Sequence, residues 1–429
     1  MKRHSGSRQW SALVSMGFLV LLWVGLSACG GGSGDVSTDT TSGTDTVETT
    51  ANHSLVISSF TADRTMGFAG ETITLTVEAM DTNDDPLTYS FAVIPDETTI
   101  EVDGSTASIV LPAGIDEITV TVTVSDGTVS VDSDPVKISV KTWKVDDIAT
   151  AFYPATAYNG VAFVSEDEGF IAGGTETGAG ANPYVLHYKN GEWTDETVGS
   201  SAHMMSLAAI SPTDVWAAGG TGKARHYDGT KWTQLTVAGG CTHAIFFVAS
   251  DNGWMGPSEA GQPGMRHYTG GDMSSGWASV ALSGHQGITD IDFVSANDGW
   301  AVGPGGKAFH WDGSAWTSVP TGTTKKLLGI EMVSQSLGYV VGASGTLLKW
   351  DGSAFSAITS PVTTQLNAAA MLSETTGYIV GSGGVILRFV DGEWVQMPSP
   401  TDKSLLNVTM LPSGKAWAVG SEGVVLSLP

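Results

Sequence analysis

A short pattern of residues recurs at a fixed spacing along the C-terminal two thirds of the chain. In each copy, a glycine and an aromatic residue begin a short apolar run, glycines follow, and an Asp-Gly turn precedes a closing aromatic residue. The closing aromatics Trp277, Trp316, Phe355 and Trp394 stand 39 residues apart. One such unit cannot bury its apolar face alone, so neighbouring units must stack on one another.

Each unit carries four short patterns typical of β-strands. The clearest unit predicts strands over 327–332, 339–341, 346–350 and 355–358, which we call a, b, c and d. Four strands in a repeat of about forty residues predict a β-propeller. The aromatic residue of strand b occurs seven times, as Phe170, Trp216, Trp254, Trp300, Tyr339, Tyr378 and Trp417. The sequence therefore predicts an all-β protein with a seven-bladed propeller over residues 141–429.

The last unit ends after its strand c, at Leu428-Pro429. The residues Thr142-Trp-Lys-Val145, which precede the first unit, match the strand d pattern Trp316-Thr-Ser-Val319 of the fourth. We expect them to supply the missing strand of blade seven. This pairing closes the ring and removes two open sheet edges.

Residues 53–140 alternate polar and apolar side chains in short runs, most clearly in Ile118-Thr-Val-Thr-Val-Thr-Val124, and this predicts a β-sandwich. The segments 81–89 and 124–128 resemble the cadherin-like and PKD-like immunoglobulin modules of bacterial surface proteins. Their oxygen-bearing side chains form a candidate Ca²⁺ site, made by Asp81, Asn83, Asp85 and Asp126. The alternative is a pair of acidic turns whose side chains cap their own backbone.

The N-terminal residues are typical of an export signal. Basic residues precede the apolar run 13–26, which is short for a membrane span and indicates a signal peptide over residues 1–28. The run ends in Leu26-Ser-Ala-Cys29, which resembles a bacterial lipobox and implies lipidation of Cys29. Gly30 after it resembles lipoproteins of the outer membrane. The alternative is an ordinary signal peptide with a chance cysteine. Residues 29–52 are polar and predict a flexible linker.

Charge and motif content narrow the range of functions. The chain has 44 acidic against 19 basic residues, so a nucleic-acid partner is not expected. Two cysteines provide no disulfide framework, and no catalytic motif is found. The repeats resemble BNR-like propellers of the photosystem II stability and assembly factor type, and repeats of bacterial surface lipoproteins. That resemblance implies a scaffold for protein or carbohydrate recognition; the turn 295–300 departs from the sialidase Asp-box.

Basic residues recur at two positions of the repeat. On strand c they precede the aromatic residue, and we expect them to hydrogen-bond turns between adjacent blades. At the start of strand a, the innermost strand, they should ring one mouth of the central channel, on the face where the d–a and b–c loops lie. The candidate ligand-binding residues there are His203, His243, His285, Lys326 and Lys403. The alternative is a polar lip without a ligand.

Together these features predict a lipid-anchored protein of the cell envelope, attached to the outer membrane through Cys29. Its propeller is expected to act as a non-catalytic scaffold that binds a protein or a glycan. The alternatives are a carbohydrate-active enzyme, either a glycosidase or a lyase, and an assembly factor for a membrane protein complex. Two acidic residues that converge roughly 5–10 Å apart in the channel mouth would favour the enzyme.

Overall fold

The computed structural model describes residues 54–175, 182–196, 203–237, 242–257, 259 and 264–429. The predicted signal peptide, Cys29 and the linker lie outside these ranges, as do parts of the long b–c loops of blades one and three. Residues 53–429 form one compact unit. Within the described ranges, no helix has the length and apolar character needed to cross a lipid bilayer.

The first nine strands form two sheets packed face to face. They are β1 (Leu55–Ala62), β2 (Met66–Phe68), β3 (Thr72–Asp81), β4 (Thr88–Ile94), β5 (Ile100–Asp103), β6 (Thr106–Val110), β7 (Glu117–Ser125), β8 (Ser130–Asp132) and β9 (Val136–Lys141). One sheet has the order β1-β3-β6-β5, and the other has the order β2-β9-β7-β4 with β8 against β7. Ile73 and Leu75 of β3 share a buried core with Ile118 and Val120 of β7. This is the alternation that predicted a sandwich.

The remaining strands form seven four-stranded antiparallel sheets. After β10 (Lys144–Val145) and helix α1 (Asp147–Phe152), blade one contains β11 (Ala157–Ser165), β12 (Glu168–Gly174), β13 (Pro183–Lys189) and β14 (Glu192–Glu196). Blade two contains β15 (Met204–Ser211), β16 (Asp214–Gly219), β17 (Lys223–Tyr227) and β18 (Trp232–Thr236). Blade three contains β19 (Thr242–Ala249), β20 (Asn252–Pro257), β21 (Met265–Tyr268) and β22 (Trp277–Val280).

The last four blades repeat the same order. Blade four contains β23 (Asp290–Ser295), β24 (Asp298–Gly303), β25 (Lys307–Trp311) and β26 (Trp316–Val319). Blade five contains β27 (Leu327–Ser334), β28 (Leu337–Gly342), β29 (Thr346–Trp350) and β30 (Phe355–Ala357). Blade six contains β31 (Leu366–Ser373), β32 (Thr376–Gly381), β33 (Ile386–Val390) and β34 (Glu393–Gln396). Blade seven contains β35 (Leu405–Met410), β36 (Ala416–Gly420), β37 (Val425–Leu428) and β10.

The ring is closed by a strand from the N-terminal side of the propeller. Lys144 pairs with Ser427 and Val145 with Leu426, so β10 is the fourth strand of blade seven, as predicted. On the inner side, Asn407 Nδ2 of blade seven donates to the Asn159 carbonyl of blade one at 3.1 Å. These two seams join the first and last blades and close the ring.

Aromatic residues join each blade to the next one. In six blades the strand d aromatic packs in a T-shaped arrangement on the strand b aromatic of the preceding blade, as in Trp316 on Trp254 with ring centroids 5.5 Å apart. Four strand d indoles have no hydrogen-bond acceptor for Nε1 among the described residues, namely Trp143, Trp232, Trp316 and Trp394. A T-shaped pair brings a ring edge against an aromatic face, where an N–H group is weakly stabilised.

The b–c turns and the d–a loops pack against each other on one face, as predicted. In five blades the last glycine of the b–c turn has a positive φ, for example 70° at Gly306 and 73° at Gly384. A Cβ on Gly306 would lie 1.9 Å from the Thr323 carbonyl oxygen, and one on Gly384 would lie 1.9 Å from that of Thr401. Only glycine satisfies both restrictions. We call this side of the propeller the loop face.

The strand c histidines bond within their own blade, which differs from the expected bonding between blades. His226 Nε2 lies 2.9 Å from Asp214 Oδ1, and His310 Nε2 lies 2.8 Å from Asp298 Oδ1. In each blade the acceptor is the first residue of strand b, and the imidazole packs on the aromatic residue two positions later. The register of antiparallel pairing places these three residues together, so the bonds hold strands b and c of one sheet.

Arg388 occupies the same strand c position in blade six but binds the sandwich. Its guanidinium donates to Glu71, and its Cζ lies 3.5 Å from the ring centroid of Phe68. Lys144 also forms an ion pair with Asp116 of the sandwich. Only two residues, 142 and 143, separate β9 from β10, and both are buried. The sandwich is therefore fixed against blades six and seven.

Candidate functional site

The starts of the seven inner strands surround an open cavity of about 440 Å³. Six of these strands have an irregular register near their first residue, where an extra residue points out of the ladder. The bulged residues and their neighbours therefore line the channel. Its lining includes Asn159, Met205, His243, Thr289, Leu328, Asn367 and Leu406.

Two of the predicted ligand residues line this cavity, and a third lies close to them. His243 is the second residue of β19, and Lys326 directly precedes β27; both line the cavity. Burial is the main cause that lowers the pKa of His243, and the positive charges of Lys326 and His203 lower it further, against the opposing effect of Glu259. These charges act on one imidazole, so His203, His243 and Lys326 lie close together. We call these three residues the rim.

The other two predicted residues lie on the loop face but do not line the cavity. Lys403 Nζ lies 2.7 Å from Glu422 Oε2 in the b–c turn of blade seven, and this bond raises the pKa of Lys403. His285 Nδ1 accepts a hydrogen bond from the backbone N–H of Gly287, 3.3 Å away, within its own loop. Both side chains take part in local loop contacts rather than in the rim.

Below the rim, the channel wall carries three carboxyl groups that the sequence reasoning missed. Asp290 and Asp292 belong to β23, and Glu331 belongs to the neighbouring β27. Asp290 Oδ2 accepts from the N–H of Ile330 at 2.9 Å. Asp292 Oδ2 accepts from the N–H of Met332 at 2.6 Å, and Glu331 Oε1 accepts from that of Met371 at 3.1 Å. The three carboxyl groups thus join the inner strands of blades four, five and six.

Burial raises the pKa of all three groups. It raises that of Asp290 to about 7 and that of Asp292 to about 6, against the opposing effect of the backbone hydrogen bonds. The pKa of Glu331 is raised well above its usual value, first by burial and then by the nearby charge of Asp292. Each side chain lies deep in the protein but keeps some accessible surface, which faces the cavity. We call Asp290, Asp292 and Glu331 the channel carboxylates.

Other blades make equivalent links with neutral side chains. Asn407 has the same register position in β35 as Asp290 has in β23. Its Oδ1 accepts from the next backbone N–H at 2.8 Å, as Asp290 Oδ1 does at 2.9 Å, while its Nδ2 reaches the following blade. Asn367 Nδ2 similarly donates to the Leu405 carbonyl at 2.6 Å. The fold therefore does not require a charged side chain at this layer of the channel.

The candidate Ca²⁺ residues form two turns at one end of the sandwich. Asp81 Oδ1 accepts from the N–H of Asn83 at 2.8 Å and from that of Asp85 at 3.4 Å. Asp126 Oδ1 accepts from the N–H groups of the two residues 128 and 129. This is the backbone capping that the alternative expects. Among the described residues, no group of three or more His, Cys, Asp or Glu side chains is arranged to hold a metal ion. Calcium binding at these turns stays a prediction.

No protein-family model and no curated protein matches the chain. Solved β-propellers do match it. The structure of YCF48 bound to a D1 peptide has a TM-score of 0.54 at 16% identity, over 67% of this chain and 96% of that one. YCF48 from Cyanidioschyzon merolae has a TM-score of 0.53 at 14% identity, over 67% and 98% of the two chains.

A streptogramin B lyase has a TM-score of 0.56 at 12% identity, over 67% of this chain and 97% of the lyase. A lyase and a peptide-bound protein thus share the fold of this chain. At these identities the likeness shows a β-propeller and nothing finer. The resemblance drawn from the repeats holds at that level, and function has to be argued from the site.

Proposed function

We propose that this chain is a binding protein whose propeller takes a segment of another protein at the rim. The observation that carries the proposal is that His243 and Lys326 line one open cavity, with His203 close to His243. The starts of the inner strands are the repeat positions nearest to each other, so only there do side chains from several blades reach one ligand. A similar propeller has been solved with a bound peptide, which supports a protein ligand.

A glycan is a weaker candidate for the ligand. Sugar sites present aromatic faces, whereas Phe246 is the single aromatic side chain among the described residues that line this cavity. The lining is otherwise aliphatic, amide and charged. Backbone amides and charged side chains of a peptide would find hydrogen-bond partners in such a lining.

Catalysis by the channel carboxylates is the second candidate. Asp290 and Asp292 are two residues apart on one strand, a separation of about 7 Å that falls in the range used by glycosidases. However, both oxygens of each aspartate already accept a backbone N–H. Glu331 alone has an oxygen, Oε2, without a hydrogen-bond partner in the described part of the chain. A glycosidase needs two available carboxyl groups, so this arrangement favours binding.

We propose that the sandwich is an immunoglobulin-like module. Its sheets have the strand orders expected of that fold if β1, β3, β6 and β5 are equated with strands A, B, E and D. The second sheet then contains G, F and C, and the parallel pairing of β2 with β9 continues strand A on that sheet. The lipobox at Cys29 supports attachment to the outer membrane, and the 24 residues 29–52 would tether the sandwich and propeller to it.

The test compares a triple variant at the rim with a double control variant in the full-length protein. His203→Ala, His243→Ala and Lys326→Ala should abolish capture of the partner from envelope extracts. The control, Lys189→Ala with Lys231→Ala, removes basic side chains from the c–d turns on the opposite face and should capture normally. Both variants should keep their thermal stability, since none of these side chains is fully buried. Normal capture by the rim variant would refute the proposed site.

A further inference from the structure

The channel carboxylates are unexpected on stability grounds. An ionised carboxyl group deep in a protein is unfavourable unless a positive charge or several hydrogen bonds compensate it. The asparagines of blades one, six and seven link other pairs of neighbouring inner strands without any charge. Three acidic groups instead gather on one wall, where β23 meets β27, and they interact with one another. A stability role alone does not explain their charge.

No cation of the described chain balances them inside the channel. The other inner strands contribute neutral side chains to the lining, among them Asn159, Ser206, Asn367 and Asn407. His243 is the exception on β19, and its pKa is lowered, so the imidazole is neutral at pH 7. Lys326 precedes β27 and is exposed at the mouth. The described cavity thus has a rim with one permanent positive charge and an acidic wall beneath it.

We infer that the bound segment inserts a lysine or arginine side chain through the rim, where Glu331 binds its cationic group and the charges of Asp290 and Asp292 attract it. This inference rests on the proposed function, because the segment must first dock at the mouth. Glu331 Oε2 has no hydrogen-bond partner among the described residues, and Glu331 lines the cavity. It is the oxygen available to an ammonium or guanidinium donor. The cavity volume of about 440 Å³ lies within the roughly 300–1,000 Å³ of ligand pockets.

Proton linkage supports the same chemistry. Raised pKa values mean that protons remain on the channel carboxylates near neutral pH when the channel holds no cation. A bound cation favours the ionised form, so its binding releases protons. Affinity should therefore rise between about pH 6 and pH 8.

The experiment uses blocked tripeptides as probes of the channel in the full-length protein. Acetyl-Gly-Lys-Gly-amide, its arginine analogue and its glutamine analogue are titrated by calorimetry at pH 8. The lysine or arginine probe should bind about 10-fold more tightly than the glutamine probe, because its hydrogen bonds are charge-assisted. Glu331→Gln should remove this preference and leave the glutamine probe unaffected. The amide oxygen of the substituted residue still accepts from Met371, so the variant should fold.

Two further variants keep the outcomes distinct. Asp292→Asn should also weaken the lysine probe, whereas Glu393→Gln, the same change on the exposed strand d of blade six, should have no effect. Equal binding of the lysine and glutamine probes, or unchanged lysine binding in Glu331→Gln, would overturn the inference. The rim substitutions test the proposed function separately. They remove positive charge, so the lysine probe should bind them at least as well as the wild type while partner capture is lost.

Discussion

Replacing Trp143 with alanine should test whether the N-terminal strand closes the ring. Trp143 is 2% exposed, and its indole packs on Tyr378 of blade six with centroids 5.3 Å apart at 84°. Removal of a fully buried tryptophan side chain costs about 3–5 kcal/mol. In longer chains each kcal/mol lowers the melting temperature less, by about 2 °C. The expected fall in melting temperature is therefore roughly 5–10 °C.

The assay is thermal and urea unfolding, followed by circular dichroism. Trp394→Ala is the matched control, because Trp394 makes the equivalent T-shaped contact with Tyr339 inside the ring. The two variants should lose similar stability if blade seven is an ordinary blade. A double substitution with Tyr378→Ala should show a coupling of about 0.5–1.5 kcal/mol between the two rings. A loss below about 1 kcal/mol for Trp143→Ala would show that the strand does not belong to the ring.

Three further predictions concern the channel, the sandwich contact and the anchor. Burial raises the folded-state pKa of Asp290 to about 7, so ionisation of this carboxyl group opposes folding. The stability that the protonated group contributes is lost as pH rises from about 4 to 7. The free energy of unfolding of Asp290→Asn, relative to that of the wild type, should therefore increase by on the order of 2 kcal/mol between pH 5 and pH 8. A difference in melting temperature that does not change with pH would contradict this. Arg388→Met should lower the free energy of unfolding by about 1–2 kcal/mol through loss of the Glu71 and Phe68 contacts, with Lys349→Met in blade five as the control that should change little. Cys29→Ser should abolish incorporation of a palmitate analogue, and retained label would refute the lipobox.

The repeat pattern predicted most of the propeller because its strands obey local rules. For blade five, strand c was placed at its observed residues, 346–350, and the other three strands within two residues at each end. The closing strand was predictable too, since Trp143-Lys-Val145 repeats a strand d pattern. Helix α1 was not predicted: it occupies a d–a connection without repeat periodicity, and Asp146 caps its first turn by accepting from the N–H of Ala149.

The site was predicted only in part, because the channel depends on geometry that repeats do not encode. The start of strand a was identified as the ring position, and this brought His203, His243 and Lys326 together. The channel carboxylates were missed even though Asp290-Ile-Asp292 is an unusual acidic run on an inner strand. Their importance follows from the register that places Glu331 beside them on the next blade. The partners of the strand c histidines likewise depend on the pairing of b with c.

The pairing of β10 with β37 sets an order of events during synthesis. Val145 and Leu426 are 281 positions apart in the chain, so the edge of blade seven can be covered only when residues 426 and 427 have been made. Until then β10, attached directly to the sandwich, remains an unpaired edge that other strands can join. A protein that stops before Leu426 would lose both partners of β10, Leu426 and Ser427, and would behave as an open, aggregation-prone array.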